Sequence, residues 1–343
     1  MVAGVLCAVL VLPTSCLAAD RTFQEGPTTV APAQSAPARR SAPAARVQES
    51  SRERLLSLAA TELSAGRRAE AERLLLEAAD QFDSVDALLR LGRLQAGRGD
   101  QQAALSSLRR ARGLAPNSEE VLSGFAQVSL AARAITPAIL ALQALTRICP
   151  TVAQYHYLLG VGLMQAGDFA VAVESLEQAN RLEPNSGLTL IALGLGYNSR
   201  KLYAEAKPYL QWGLELEPES VDAVAALAES EDGLGELDAA EGHARQVLAK
   251  AGHHPNAHFV LGLVLMKRER IAEARDAFIS AVSAEPLLAK AHYQLSLAYS
   301  RLGDAASAEK HLALYRTSLR DVEQRLERIR LETGEPSKDG MGR

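Results

Sequence analysis

Prolines recur at Pro116, Pro150, Pro184 and Pro218, each 34 positions after the last, and this period constrains the chain more than any other feature. The next slot holds Gly252 and the one after it Pro286. Ala104, Ala138, Ala172, Ala206, Ala240, Ala274 and Ala308 keep the same step, and Ala71 stands 33 positions before the first of them. A third set is Gly92, Gly160, Gly194 and Gly262, with Ala126, Ala228 and Ser296 in the remaining slots. Three residue sets in phase over seven units require one supersecondary unit stacked on copies of itself, because a repeat of this length cannot bury its apolar face alone.

The unit 85–118 shows what is repeated. Leu88, Leu91 and Leu94 mark one face of a first helix. Gly97, Arg98 and Gly99 break it, since glycine closes a helix in the left-handed conformation without a steric penalty. Asp100 caps a second helix by accepting its free N–H groups. Ala104, Leu105, Leu108 and Ala111 line that helix, and Pro116 ends it because proline cannot continue the hydrogen-bond ladder. The breaker and cap return as Gly167-Asp168 and Gly303-Asp304. Small residues such as Gly92 and Ala104 let the paired helices approach closely.

This pattern resembles the tetratricopeptide repeat family. The unit from Ala153 supplies His156, Leu159-Gly160, Leu163, Ala172, Leu176, Ala179 and Pro184. The unit from Pro255 supplies His258, Leu261-Gly262, Leu265, Ala274, Phe278, Ala281 and Pro286. The resemblance implies an all-α, right-handed superhelical solenoid of about eight helix-turn-helix units, with boundaries near 52, 85, 119, 153, 187, 221, 255 and 289. Some units depart from the pattern. The unit 119–152 has Ala131-Ala132-Arg133 in place of the inter-helix glycine, the first unit has Asp83 where proline is expected, and the last has Tyr315 for the usual alanine. Pro208 falls inside a second helix, which it should kink or whose start it should shift.

The array is expected over 51–322. Residues 4–12 form an apolar run ended by Pro13, with small residues up to Ala19, and read as a signal peptide over 1–19, although no Lys or Arg precedes the run. Export to a periplasmic or secreted location follows as an expectation. Cys16 offers a lipid anchor as a second option, against which Pro13 stands where an aliphatic residue is wanted. Residues 20–50 hold Pro27, Pro32, Pro37 and Pro43 and few bulky apolar side chains, the composition of a disordered tether. Beyond the last unit, Leu319, Val322, Leu326, Ile329 and Leu331 alternate with charges as the apolar face of a capping helix over the final repeat. A polar tail follows, so that 323–343 holds the end of the cap and that tail.

The chemistry is notable for what it lacks. A net charge of −4 argues against a nucleic-acid clamp, which needs a clustered basic face. Cys7 and Cys16 lie in the leader, so after cleavage Cys149 is a lone cysteine that cannot form an intrachain disulfide and reads as a small buried apolar residue. Gly194 and Gly196 imitate part of a nucleotide loop but lie mid-helix with no strand before them. His254 and His258 have a metal-ligand spacing, yet His156, His258 and His292 share one repeat position and His243 and His311 another, which is packing rather than ligation. Trp212 and the tyrosines read as core or groove. No nucleophile–base pair, metal site or cofactor site stands out from the repeat, and no enzyme is expected.

The family resemblance turns the first helix of each unit toward a concave groove, with unit positions two, five, nine and twelve lining it. These positions include Tyr157, Val161, Ile191 and Leu195, then Phe259, Leu263, Met266, Tyr293 and Leu297. In the unit from Val221 they are Asp222, Ala225, Glu229 and Asp232, an acidic notch in an apolar groove. The lysine and asparagine set with which some members of the family clamp a C-terminal carboxylate is absent. Contiguous apolar surface calls for a ligand or a cover. The expectation is therefore a non-catalytic scaffold holding a peptide or helix of a protein partner, with no nucleic acid and no membrane span. The competing readings are that these side chains only pack against neighbouring repeats, that the array serves an envelope enzyme or export complex as an accessory subunit, or that it self-assembles.

Overall fold

The structure, a computed structural model, describes residues 42–333. The expected signal peptide, Cys16, most of the linker and the polar tail lie outside the described residues. Sixteen helices and no strand occur among the described residues: α1 (Ala42–Ser64), α2 (Arg68–Phe82), α3 (Val85–Gly97), α4 (Gln101–Leu114), α5 (Glu119–Ala131), α6 (Ile135–Ile148), α7 (Ala153–Ala166), α8 (Phe169–Leu182), α9 (Gly187–Ser199), α10 (Tyr203–Leu216), α11 (Val221–Leu234), α12 (Leu237–Lys250), α13 (Pro255–Lys267), α14 (Ile271–Ala284), α15 (Ala289–Arg301) and α16 (Ala305–Thr333). Each odd-numbered helix packs on the even-numbered helix that follows it. The chain divides between Pro150 and Thr151 into two compact bodies, each an all-α stack of such pairs.

Helix α3 and the six later first helices begin at the seven boundaries expected from the period. Side chains just before them explain why. Ser84, Ser118, Ser186 and Ser220 each accept a hydrogen bond from the backbone N–H three residues on, as does the imidazole Nδ1 of His254. The inter-helix turns are equally regular. Gly99, Gly167, Gly235 and Gly303 all take a left-handed φ between 81° and 93°. Arg133, Lys201 and Glu269 fill the intervening slots at φ 54°, 61° and 59°. Units without the glycine therefore keep the same turn and bear its strain.

Within a pair, one crossing is shared by four units. A methyl group placed on Gly92, Gly160, Gly194 or Gly262 would come within 2.4–2.6 Å of the side chain sixteen residues on: Leu108, Leu176, Leu210 or Phe278. Pro208 neither shifts the start of α10 nor ends the helix, which runs eight residues past it.

Three expectations are corrected. Residues 42–50, assigned to the linker, are helical and continue into α1. Ala44, Ala45, Arg46, Gln48 and Glu49 are good helix formers, and Pro43 lies in the first turn, where its missing N–H costs nothing. The capping helix is not a separate element but the second half of the 29-residue α16. Its Leu319 and Leu331 face solvent at 42% and 76% exposure. Trp212 is 60% exposed on the second helix α10, so it belongs to neither core nor groove.

Candidate functional site

The second helices are one-sided: α8 buries Ala172, Val173, Ser175, Leu176 and Ala179, a single stripe. The central first helices differ. In α7 ten of fourteen residues are buried and in α9 ten of thirteen, so neither keeps a wide free face. Successive first helices α7, α9, α11, α13 and α15 touch one another. Helix α9 also approaches the preceding second helix closely at Gly196, where a methyl group would lie 2.8 Å from Val173 Cγ2 of α8.

This packing decides the fate of the expected groove. Tyr157, Val161, Ile191 and Leu195 are 2–5% exposed and lie buried in this packing. Burial pushes the Tyr157 phenol pKa upward, and its hydroxyl finds no hydrogen-bond partner among the described residues. Phe259 is 4% exposed and packs in a tilted pair on Phe278, with ring centroids 6.0 Å apart. Met266 is buried and Leu263 half-buried against the same cluster. Only Tyr293 and Leu297, at 39% and 37%, present substantial apolar surface from this register. They are four residues apart on α15, hence on one face, and Tyr293 meets Tyr315 of α16 at 5.1 Å.

The acidic notch is present but its charges are answered from within the chain. His254 Nε2 donates to Asp222 at 2.9 Å, its Nδ1 being used as the cap of α13. Lys267 Nζ lies 2.8 Å from Asp232 Oδ1 and also donates to the Asp232 carbonyl at 2.6 Å. Burial raises the Asp232 carboxyl pKa, with Lys267 pulling the other way. Lys290 Nζ bridges Glu229 at 2.6 Å and Asn256 Oδ1 at 2.8 Å, and it sits 4.5 Å above the Phe259 ring. Asn256 donates in turn to Glu229 at 3.1 Å and to the Ala225 carbonyl at 3.3 Å. One unit earlier, Asn198 donates to the Ala226 carbonyl and accepts from Ser230, both at 2.7 Å. A polar ladder thus stitches α9, α11, α13 and α15 along their concave register.

The reading of the sequence missed the ladder's bases and amides. Asn256 and Lys290 occupy unit position two, as Asp222 does, and Asn198 occupies position twelve, as Asp232 does. The same positional rule, applied to polar residues, would have found three of the five. Lys267 and His254 lie outside it. The histidines behave as packing groups: His258 and His292 each place Nε2 2.9 Å from the carbonyl six residues earlier. No group of three or more His, Cys, Asp or Glu side chains placed to hold a metal occurs among the described residues. Cys149 is buried. No described helix is long and apolar enough to cross a membrane.

Family models described as tetratricopeptide repeat match residues 56–119, 153–186, 225–283 and 259–320. No curated protein matches. Among solved structures, a tetratricopeptide repeat protein from Parabacteroides merdae is 17% identical, with a TM-score of 0.53 over 73% of this chain and 99% of that one. The APC/C hetero-tetramer Cut9-Hcn1 is 19% identical, with a TM-score of 0.50 over 70% and 48%. A monomeric mutant of IFIT1 solved with m7Gppp-AAAA is 16% identical, with a TM-score of 0.51 over 83% and 74%. These three share the fold. The family-model matches cover more than half of the sequence and fall on the helix pairs described above, so the chain belongs to the tetratricopeptide repeat family.

Proposed function

We propose that this protein is a non-catalytic scaffold that holds a protein partner through the C-terminal end of its concave register. The observation that carries the reading is the exposed pair Tyr293 and Leu297. Every other apolar residue expected in the groove is buried or half-buried in packing, while these two stand on one helix face beside the polar ladder. An aromatic anchor with an aliphatic neighbour and charged groups nearby suits an amphipathic helix or peptide. The partner belongs to the cell envelope or the secreted space. Support for that location is the apolar run at 4–12 followed by small residues.

Affinity purification from the native envelope with quantitative mass spectrometry tests the site. Aromatic anchors typically cost about 2 kcal/mol or more when truncated, so Tyr293→Ala with Leu297→Ala should lose the partner. Arg275→Ala, on the second helix α14 where Arg275 pairs with its neighbour Asp276, should retain it. The reverse result would place binding on the second-helix face. N-terminal sequencing of the native protein tests export and should begin near Ala19 or Asp20; an intact Met1 on a cytosolic protein would refute it.

A further inference from the structure

Helix α16 is 29 residues long, whereas the other second helices have 14 or 15. Its first half completes the last unit: His311 meets His292 at 3.0 Å and Tyr315 meets Tyr293. Among the described residues no further helix follows to pair with the second half. That half carries the chain back to the turn between α7 and α8, four units away. There Arg325 Nη1 donates to the carbonyl of Gln165 at 3.0 Å, a contact 160 positions apart in sequence. Val322 Cγ1 lies 2.8 Å from where a methyl group on Gly167 would stand.

Three features make this turn a built receptor rather than a chance contact. Gly167, the left-handed residue that closes α7, leaves a hollow that Val322 occupies and that any side chain would fill. The Gln165 carbonyl is among the last four of α7, which have no partner inside their own helix. Backbone groups after α7 bond to Leu163 and Met164 instead. The negative end of the α7 dipole favours a cation at that carbonyl. The inward stripe of the strap is short and apolar: Val322 and Leu326 are half-buried, and Ile329 is 5% exposed.

We propose that the α7–α8 turn is a docking site for an amphipathic helix that carries an arginine beside its apolar stripe, and that residues 319–333 are its built-in occupant. The pattern it selects is an apolar residue at i, i+4 and i+7 with arginine at i+3, as in Val322, Arg325, Leu326 and Ile329. A partner helix carrying that pattern displaces the strap, which makes the strap a competitor for the α7–α8 turn. The claim rests on the scaffold reading only in supposing that such a partner exists; the docking site stands without it.

The test uses the full chain. Val322→Asp with Ile329→Asp should open the strap, and both positions lie past His311 and Tyr315, through which α16 meets α15, so helix content of the array should not change. A fluorescent peptide of residues 317–333 should bind this opened chain at least tenfold more tightly than the wild type, where the tethered copy competes. The same peptide with Val322→Asp should not bind. Arg325→Ala, a milder lesion, should give an intermediate gain. Hydrogen exchange at residues 164–168 should accelerate in the opened chain and slow again when the peptide is added. Equal peptide binding by wild-type and opened chains, or unchanged exchange at 164–168, overturns the proposal. Loss of partner capture in the Tyr293 and Leu297 variant, together with capture unaffected by opening the strap, removes the strap's regulatory role and leaves the scaffold reading intact.

Discussion

Gly160→Ala is the sharpest probe of how the repeats are held together. Two opposing effects meet at this residue. Alanine in the interior of α7 gains about 1 kcal/mol over glycine in helix propensity. Its methyl group, however, would stand 2.5 Å from Leu176 Cγ, 2.8 Å from Leu176 Cδ2 and 3.1 Å from the Ala172 carbonyl oxygen. Ordinary carbon contacts begin near about 3.5 Å, so Leu176 must retreat by about 1 Å. Cγ is the branch point of the side chain rather than its tip, and Leu176 is 0% exposed with no space to retreat into. Overpacking of this kind costs about 1–3 kcal/mol, leaving a net loss of up to about 2 kcal/mol. Gly242 is the control: it lies inside α12 with nothing within 4 Å of an added methyl group. Gly242→Ala should therefore stabilise by about 0.5–1 kcal/mol. Long repeat arrays unfold without strict two-state behaviour, so native-state hydrogen exchange resolved to α7, α8 and α9 is the suitable assay. Adding Leu176→Ala should relieve the clash, so that the double variant is less damaged than the two single effects added together. If Gly160→Ala stabilises as Gly242→Ala does, the close crossing does not hold the pair as argued.

Two further outcomes follow from the turns and the last helix pair. Lys201→Gly and Glu269→Gly should each raise the thermal midpoint, relieving about 1–2 kcal/mol of left-handed strain, while Gly235→Ala at the equivalent slot should lower it; equal effects of either sign at the two kinds of slot would contradict the turn geometry. The pKa of His311 is lowered from its ordinary value of 6.5, first by burial and then by His292 and Lys310. The folded state then binds fewer protons than the unfolded one. The stability contributed by α15 and α16 is thus full above about 6.5 and declines as the pH falls below it. Hydrogen exchange in these helices, followed on acidification, should show that loss in the wild type and much less of it in His311→Gln; a flat wild-type profile would refute it.

The legible part of this molecule is the part that each unit repeats. Helix starts at Val85, Glu119 and their successors were readable because proline, alanine and glycine mark the same structural slot every 34 residues. The glycine crossing was visible for the same reason, although its partner is the residue sixteen on rather than the repeating alanine alone. Periodicity is silent about contacts that occur once. Nothing in the spacing joins Lys290 to Glu229, 61 positions away, or Arg325 to Gln165. The start of α1 departs from the expected tether because the alanine, arginine and glutamate residues after Pro43 suffice to carry a helix into the first unit, whatever the proline content before them.

The burial of the expected groove has a physical cause that also narrows where a partner can sit. Positions five and nine carry Tyr157, Val161, Ile191 and Leu195 on helices that are apolar nearly all round, and such helices are stable only when covered on every side. The adjoining helices supply that cover, as where Ile191 packs on Gly213 of α10. In the unit from Val221 the same positions hold Ala225 and Glu229. There alanine lets the backbones close in, and the carboxylate must find a partner inside the chain, as it does in Lys290 and Asn256. The concave register thus passes from apolar packing through a neutralised polar ladder to the exposed Tyr293 and Leu297. A partner that reached the apolar stretch would have to separate helices that already satisfy one another. One that settles at the C-terminal end displaces only solvent.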